Sequence, residues 1–159
     1  MAQLVAYFSR ADENYMNGTL RYLTVGNTEV AADIIRQATG ADLFKIDPVA
    51  AYAPDYSTCI EEAKQDKKRD ARPELKEYLP NLDGYDTVYL GFPNYWGTMP
   101  MAVFTFLERY DFSGKTIVPF CTHEGSRLGR SVKDFTRLAP KSTILEGFEI
   151  RGGRANQAN

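Results

Sequence analysis

Three short runs that are apolar at almost every position lie far apart in this chain, at residues 4–8, 87–92 and 116–120. A strand that is apolar along its whole length is buried on both faces, and such strands belong to parallel sheets covered by helices. Two weaker strand patterns, at residues 43–46 and from 143 to about 150, follow the same order. We therefore predict an α/β fold, in which a five-stranded parallel sheet lies between two layers of helices.

Four segments between the predicted strands have the character of helices. The first shows apolar residues at helical spacing and is predicted to end at Gly40, because glycine is favoured just beyond a helix end. Residues 61–77 carry six acidic and six basic side chains, which is typical of a solvent-exposed helical face. Apolar periodicity predicts the other two helices over residues 101–107 and 128–138. Pro119 is placed at the C-terminal end of its strand, because an interior proline removes a hydrogen bond of the sheet.

The composition limits the chemistry that is open to the protein. We expect the 159 residues to form one domain, and the net charge of −2 gives no field that would favour nucleic acid or an anionic membrane. One histidine and two cysteines are too few for a structural zinc site or a disulfide framework. The first apolar run is too short for a signal peptide or a membrane span. These features indicate a cytoplasmic protein that relies on few titratable groups or on a bound organic cofactor.

Ligands of open parallel sheets bind beyond the carboxyl ends of the strands, so the loops that follow the apolar runs are the candidate sites. In the first loop, Ser9 and Arg10 follow the strand, and Asn27 or Thr28 is predicted to cap the next helix. Donor groups at a helix N-terminus form an anion site, and these four residues are candidate phosphate ligands. The chain has neither a Walker A motif nor a dinucleotide-binding glycine motif. An ordinary helix cap without a ligand is the alternative.

The second and third loops carry aromatic and polar side chains. Tyr95 and Trp96 lie in a loop bounded by proline and glycine, where at least one of the two rings faces solvent or a planar ligand. A hydrophobic plug against the following helix is the alternative. In the third loop, the spacing of Cys121 and His123 does not suit a nucleophilic Cys–His pair, and a polar rim around a ligand fits better. The candidate residues of these two loops are Pro93, Asn94, Tyr95, Trp96, Gly97, Thr98, Thr122, His123, Glu124, Gly125 and Ser126.

Taken together, the three loops resemble those of the flavodoxin family. The phosphate motif of that family reads Ser/Thr-x-Thr-Gly-Asn-Thr, and Ser9 and residues 26–28 (Gly-Asn-Thr) are similar to its two ends. Residues 93–100 (Pro-Asn-Tyr-Trp-Gly-Thr-Met-Pro) and 120–126 (Phe-Cys-Thr-His-Glu-Gly-Ser) resemble the loops around the flavin ring in a bacterial flavodoxin-like subgroup. The resemblance covers nearly the whole chain. It implies a three-layer α/β/α fold with strand order 2-1-3-4-5 and FMN at the switch point between the first and third strands.

The resemblance also implies a role for each loop. Residues 93–98 would flank the flavin ring, with Trp96 or Tyr95 stacked on it, and residues 122–126 would line its other side. Gly97 would allow the backbone beside the ring to rearrange on reduction. The implied ligands of the phosphate are Ser9, Arg10, Asn27 and Thr28.

The sequence departs from the family in two respects. The span from Ser9 to Thr28 covers 20 residues, far more than the uninterrupted motif, so residues 11–25 are predicted to be an insertion in the phosphate loop. Asn17-Gly18 is a strong hairpin-turn dipeptide, and we predict a small lobe over the phosphate side. Residues 93–100 contain no acidic side chain and residues 120–126 contain one. Carboxylates near the ring disfavour an anionic reduced flavin, so the ring loops are poor in a feature of low-potential carriers.

Three functions follow from these observations as hypotheses. The first is an FMN-dependent electron-transfer protein that moves electrons between a reductase and an acceptor, through contacts with redox partner proteins or with a small molecule. The alternative is an FMN-dependent NAD(P)H reductase of quinones or similar acceptors, in which His123 or Tyr95 would donate a proton. A flavin-free binding or signalling module is the third. No partnership with nucleic acid or a membrane is expected from the composition.

Overall fold

A parallel β-sheet forms the centre of the protein. The structure is a computed structural model, and it describes residues 2–9, 12–16, 19–23, 27–49, 56–69, 71–79, 81–82, 84–93, 100–123, 131–145 and 148–151. The strands are β1 (Ala2–Tyr7), β2 (Asp12–Met16), β3 (Thr19–Leu23), β4 (Asp42–Lys45), β5 (Tyr85–Pro93), β6 (Thr116–His123), β7 (Thr143–Ile144) and β8 (Phe148–Arg151). The helices are α1 (Asn27–Thr39), α2 (Tyr56–Lys68), α3 (Met101–Arg109) and α4 (Ser131–Leu138).

The order of the strands confirms the predicted topology. The sheet runs β4-β1-β5-β6-β7, and β8 also pairs with β6. Every pair in this sheet is parallel. The predicted fifth strand consists of two pieces, β7 and β8, which pair with the first and second halves of β6. If these two pieces are counted as one strand, the order is 2-1-3-4-5.

The position predicted for Pro119 is wrong, because this proline lies in the middle of β6, opposite Leu90 of β5. The carbonyl of Ile117 accepts the N–H of Leu145, so it faces the fifth strand. Alternate residues of a strand direct their backbone groups to the same side, so the missing N–H of Pro119 also faces the fifth strand. In the described residues, β7 pairs with Thr116 and Ile117 and β8 pairs from Phe120 onward. Pro119 is therefore tolerated because it lies opposite the break between β7 and β8.

The two faces of the sheet bury separate clusters, which explains why the strands are apolar throughout. Leu4, Ala6 and Phe8 belong to a large cluster that includes much of α3 together with Phe135 of α4. The alternate residues Val5 and Tyr7 belong to a smaller cluster with Phe120 and with Ala31 and Ala32 of α1. Successive side chains of a strand point to opposite faces, so the run at residues 4–8 needs apolar residues at every position. In the described residues, no helix is both long enough and apolar enough to cross a membrane.

The hairpin indicated by Asn17-Gly18 is present. Strands β2 and β3 form a separate two-stranded antiparallel sheet, and the last residue of β2, Met16, is opposite the first residue of β3, Thr19. The two strands are therefore joined by the two residues that the sequence indicated. A position of this hairpin over the phosphate side stays a prediction.

The helix boundaries differ from the prediction where proline intervenes. Helix α1 ends as predicted, since Gly40 follows it with a positive φ of 73°. The charged segment is helical only as far as Lys68, and residues 71–79 are not helical. Pro73 cannot donate a helical hydrogen bond and disfavours a helical conformation at the preceding residue. The segment pairs instead with the chain after β4, through a bridge between Pro48 and Leu75.

Candidate functional site

The candidate site lies at the carboxyl edge of the sheet. Gly91 of β5 is opposite Tyr7 of β1, and Pro93 at the end of β5 is opposite Thr122 near the end of β6. Ser9 follows β1 by two residues, so the first residues of all three candidate loops reach the same edge. This is the edge at which ligands of open parallel sheets bind.

Ser9 connects β1 to the first turn of α1. Its Oγ accepts the backbone N–H of Glu29 at 3.0 Å. Helix α1 begins at Asn27, so Asn27 and Thr28 belong to its first turn, and the capping role of Asn27 or Thr28 stays a prediction. Ser9 satisfies one of the otherwise unpaired N–H groups from 20 residues away along the chain. Accepting this bond does not use the hydrogen of the Ser9 hydroxyl, which can still be donated to an anion.

Two buried hydroxyl groups join α1 to β6. The Oγ1 atoms of Thr28 and Thr122 are 2.7 Å apart, and either atom can be the donor. Only 1% of Thr28 and 5% of Thr122 is exposed. The contact joins one candidate residue of the first loop to one of the third, although the two are 94 positions apart.

The Glu29 carboxylate at the start of α1 is paired with a tyrosine hydroxyl and with a lysine. The Tyr7 hydroxyl donates to Glu29 Oε1 at 3.4 Å, and Lys45 Nζ lies 3.8 Å from the same oxygen. Burial of Tyr7, followed by the nearby negative charge of Glu29, raises the pKa of Tyr7 to about 12. Tyr7 therefore stays protonated at neutral pH and donates to Glu29, while Lys45 offsets the charge of that carboxylate at the start of α1.

The raised pKa of Tyr7 predicts a loss of stability at alkaline pH. Between pH about 10 and about 12 an unfolded Tyr7 has lost its proton while the folded one keeps it. Because the unfolded state binds fewer protons in this window, the free energy of unfolding falls as the pH rises. Urea unfolding across this window should give a steeper decline for the wild type than for Tyr7→Phe. Equal slopes for the two proteins would contradict the prediction.

The structure describes only part of the predicted site. Of the candidate residues, Ser9, Thr28, Pro93 and Thr122 are described with their side chains. Asn27 begins α1, and His123 ends β6 opposite Arg151. The candidates outside the described residues are Arg10, Asn94, Tyr95, Trp96, Gly97, Thr98, Glu124, Gly125 and Ser126.

The sequence interpretation missed the groups that surround the described part of the site. It did not single out Tyr7, Glu29 or Lys45. One signal was available, because a tyrosine inside a wholly apolar strand needs a hydrogen-bond partner for its hydroxyl. The partner itself could not be inferred, since Glu29 lies 22 residues further along the chain.

Fold and site together define an α/β protein with a doubly covered parallel sheet, in which hydroxyl groups meet a helix N-terminus at the carboxyl edge. A flavodoxin family model matches residues 19–158, which is most of the chain, and the protein belongs to the flavodoxin family. No curated protein sequence matches the chain.

Solved structures agree with this assignment. A candidate flavoprotein from Bacteroides uniformis is 30% identical, with a TM-score of 0.74 over 98% of this chain and 96% of its own. A candidate flavoprotein from Bacteroides eggerthii is 28% identical, with a TM-score of 0.77 over 98% of this chain and 94% of its own. A flavoprotein from Lactobacillus acidophilus, solved in complex with FMN, shares the fold at 16% identity, with a TM-score of 0.66 over 98% of this chain and 97% of its own.

Proposed function

We propose that this member of the flavodoxin family binds FMN at the carboxyl edge of its sheet and transfers electrons between a reductase and an acceptor. The observation that carries the proposal is the convergence of the Ser9, Thr28 and Thr122 hydroxyls at the start of α1. Hydroxyl donors and a helix N-terminus are the groups that bind phosphate.

The described residues fit the phosphate of FMN. The N-terminus of α1 carries a partial positive charge, and Lys45 and Tyr7 engage the Glu29 carboxylate that would otherwise oppose an anion. The residues that would hold the phosphate are Ser9, Arg10, Asn27 and Thr28. The FMN complex of the Lactobacillus acidophilus flavoprotein, which has the same fold, supports the choice of this flavin.

The two ring loops complete the proposed site. Pro93 ends β5, and Thr122 and His123 end β6, so both candidate ring loops start at the carboxyl edge of the sheet. When bound, FMN would supply the electron-accepting and electron-donating chemistry, while the protein fixes its position and adjusts its potential. The chain would exclude water from one face of the ring with an aromatic side chain and contact the ring edge with polar groups.

The first test is binding of FMN to the full chain. After flavin is removed by denaturation and refolding, titration with FMN should give one site per chain and quench the flavin fluorescence. A protein that purifies colourless and does not bind added FMN would overturn the proposal.

A second assay separates a carrier from a reductase. The FMN-loaded protein is mixed with NADPH and a quinone in the absence of a partner reductase. A carrier turns over only when a reductase is added, whereas rapid turnover of the protein alone would replace the carrier role with that of an NAD(P)H reductase. Flavin reduction by the partner reductase, followed by oxidation by an added acceptor, supports the proposed role.

Trp96→Ala is expected to weaken FMN binding by roughly threefold to tenfold, the equivalent of about 0.5–1.5 kcal/mol for a lost aromatic stack. Trp96→Phe keeps a ring and should bind with nearly the affinity of the wild type. The affinities are measured by flavin fluorescence. If Trp96→Ala binds normally and Tyr95→Ala binds weakly, Tyr95 is the stacking residue, and normal binding by both variants would exclude stacking by either ring.

The acid-poor ring loops predict a midpoint potential that is less negative than that of a flavodoxin with carboxylates around its ring. Carboxylates beside the ring repel an anionic reduced flavin, and residues 93–100 contain no acidic side chain. Thr98→Asp should therefore shift the potential to more negative values, while Thr98→Asn, of similar size and neutral, should leave it nearly unchanged. Spectroelectrochemical titration measures both, and equal potentials for the two variants would contradict the prediction.

The proposal places the protein in the cytoplasm. Cys59 and Cys121 are both buried and form no disulfide bond with each other, which suits a reducing compartment. Cell fractionation tests the location.

A further inference from the structure

The buried pair of hydroxyls at the start of α1 leaves one hydrogen to donate. Thr28 and Thr122 carry two hydroxyl hydrogens between them, and the contact of 2.7 Å uses one. In the described residues, neither hydroxyl makes another hydrogen bond. Both residues are at least nine-tenths buried, and a buried donor without an acceptor carries a desolvation cost. The second hydroxyl hydrogen therefore needs a hydrogen-bond acceptor next to the Thr28–Thr122 pair.

The position of the pair indicates that the acceptor is an anion. Thr28 belongs to the first turn of α1, where the backbone N–H groups favour negative charge. Thr122 lies one residue before the end of β6 at the carboxyl edge, and it is the more exposed of the two hydroxyl residues. Thr28 is thus better placed to donate within the pair, and Thr122 to donate outward.

We infer that Thr28 donates to Thr122 and that Thr122 donates its own hydrogen to the phosphate of FMN. This inference rests on the proposed function. It differs from the role implied by the family resemblance, in which Thr122 lines the flavin ring. Thr122 becomes a phosphate ligand, and Thr28, which the resemblance places among the phosphate ligands, instead acts as a positioning residue that fixes the direction of the Thr122 hydroxyl. The site then distinguishes FMN from riboflavin, which has the same ring and lacks the phosphate.

The test compares two flavins and inorganic phosphate on the refolded full chain. Thr122→Val keeps the shape of the side chain and removes the hydroxyl, while Thr122→Ser keeps the hydroxyl. Thr105→Val is a matched control, because the Thr105 hydroxyl donates within α3 to the Met101 carbonyl. Affinities for FMN and riboflavin are measured by fluorescence, the affinity for inorganic phosphate by calorimetry, and the folding of each variant by thermal unfolding.

Thr122→Val is expected to weaken FMN binding by at least about tenfold, which corresponds to the loss of one hydrogen bond to a charged group. Riboflavin affinity should change by less than about twofold. Thr122→Ser and Thr105→Val should both bind FMN within about threefold of the wild type. If Thr122→Val unfolds, Thr122→Ala is measured in its place; a lower ratio of FMN to riboflavin affinity than in the wild type supports the inference, and an equal ratio overturns it.

Other results would overturn the inference or the proposed function separately. Equal losses for FMN and riboflavin in Thr122→Val would show a ring contact or a structural role, and no loss would show that Thr122 is not a ligand. Both results overturn the inference and leave FMN binding intact. A wild type that binds phosphate but not FMN, with phosphate binding weakened in Thr122→Val, would overturn the proposed function and retain Thr122 as an anion ligand. Binding of none of the three probes would overturn both.

Discussion

Gly91→Ala is expected to destabilise the folded protein by about 3 kcal/mol, at the upper end of the usual cost of overpacking. A Cβ at position 91 would lie 2.8 Å from Cε1 of Phe120, and two other atoms of that ring would be closer still. The Phe120 side chain is fully buried between the sheet and α1, against Ala31 and Ala32. Because the ring is fully buried in the cluster that includes α1, we expect β5 or α1 to move to make room for the new methyl group.

The same substitution should also weaken flavin binding. The carbonyl of Gly91 accepts the N–H of Phe8, the residue before Ser9. A shift of β5 at this point therefore moves the start of the phosphate loop. Because Ser9 bonds α1, the displacement would reach the N-terminus of that helix as well.

Urea unfolding of Gly91→Ala and Gly84→Ala provides the measurement. Gly84 is a matched control, because a Cβ there meets no atom within 4 Å and its φ is not positive. Gly84→Ala should change the free energy of unfolding by less than about 0.5 kcal/mol. Adding Phe120→Leu to Gly91→Ala should recover part of the loss, because the smaller side chain leaves room for the new methyl group. Equal stabilities of the two alanine variants would contradict the role of Phe120.

The sheet could be predicted from the sequence because a strand that is buried on both faces carries apolar residues at successive positions. Strand β1 sends Val5 to one cluster and Leu4 to the other, so both must be apolar. The break in the fifth strand could not be predicted in this way. The rule that proline removes a hydrogen bond applies to Pro119, but the sequence does not reveal which side of β6 lacks a partner.

The site was predictable as a set of loops and not as a set of contacts. Parallel topology requires the loops after β1, β5 and β6 to meet at one edge, so Ser9 and Thr122 were both expected at that edge. The partners of these side chains depend on how closely α1 approaches β6. Ala31 and Ala32 of α1 pack in the same cluster as Phe120 of β6, and their small side chains allow a close approach. No local pattern encodes a contact such as Thr28 with Thr122, and a hydroxyl that accepts a distant N–H, as Ser9 does, leaves no sequence signature.

Phe106→Ala is expected to have the largest effect on stability, with a loss of about 3–5 kcal/mol, as is usual for a buried phenylalanine. Phe106 is fully buried in α3. Its ring lies 5.7 Å from that of Phe44, 5.1 Å from Tyr110 and 6.1 Å from Phe112, measured between centroids. These neighbours come from β4 and from the chain after α3, so their backbones are fixed by separate elements and the cavity cannot close fully.

Phe106→Ala should also weaken FMN binding, because α3 begins at Met101, directly after the loop that contains Trp96.

Urea unfolding of Phe106→Ala is compared with that of Leu145→Ala. The control removes a large apolar side chain that is 46% exposed and should cost less than about 1 kcal/mol. Equal slopes of unfolding free energy against urea concentration in all variants would show that stability changes without a change in the surface exposed on unfolding. If Phe106→Ala costs no more than Leu145→Ala, the aromatic cluster does not hold α3 on the sheet. If Phe106→Ala is destabilised as expected but binds FMN as tightly as the wild type, the ring loop is positioned independently of α3.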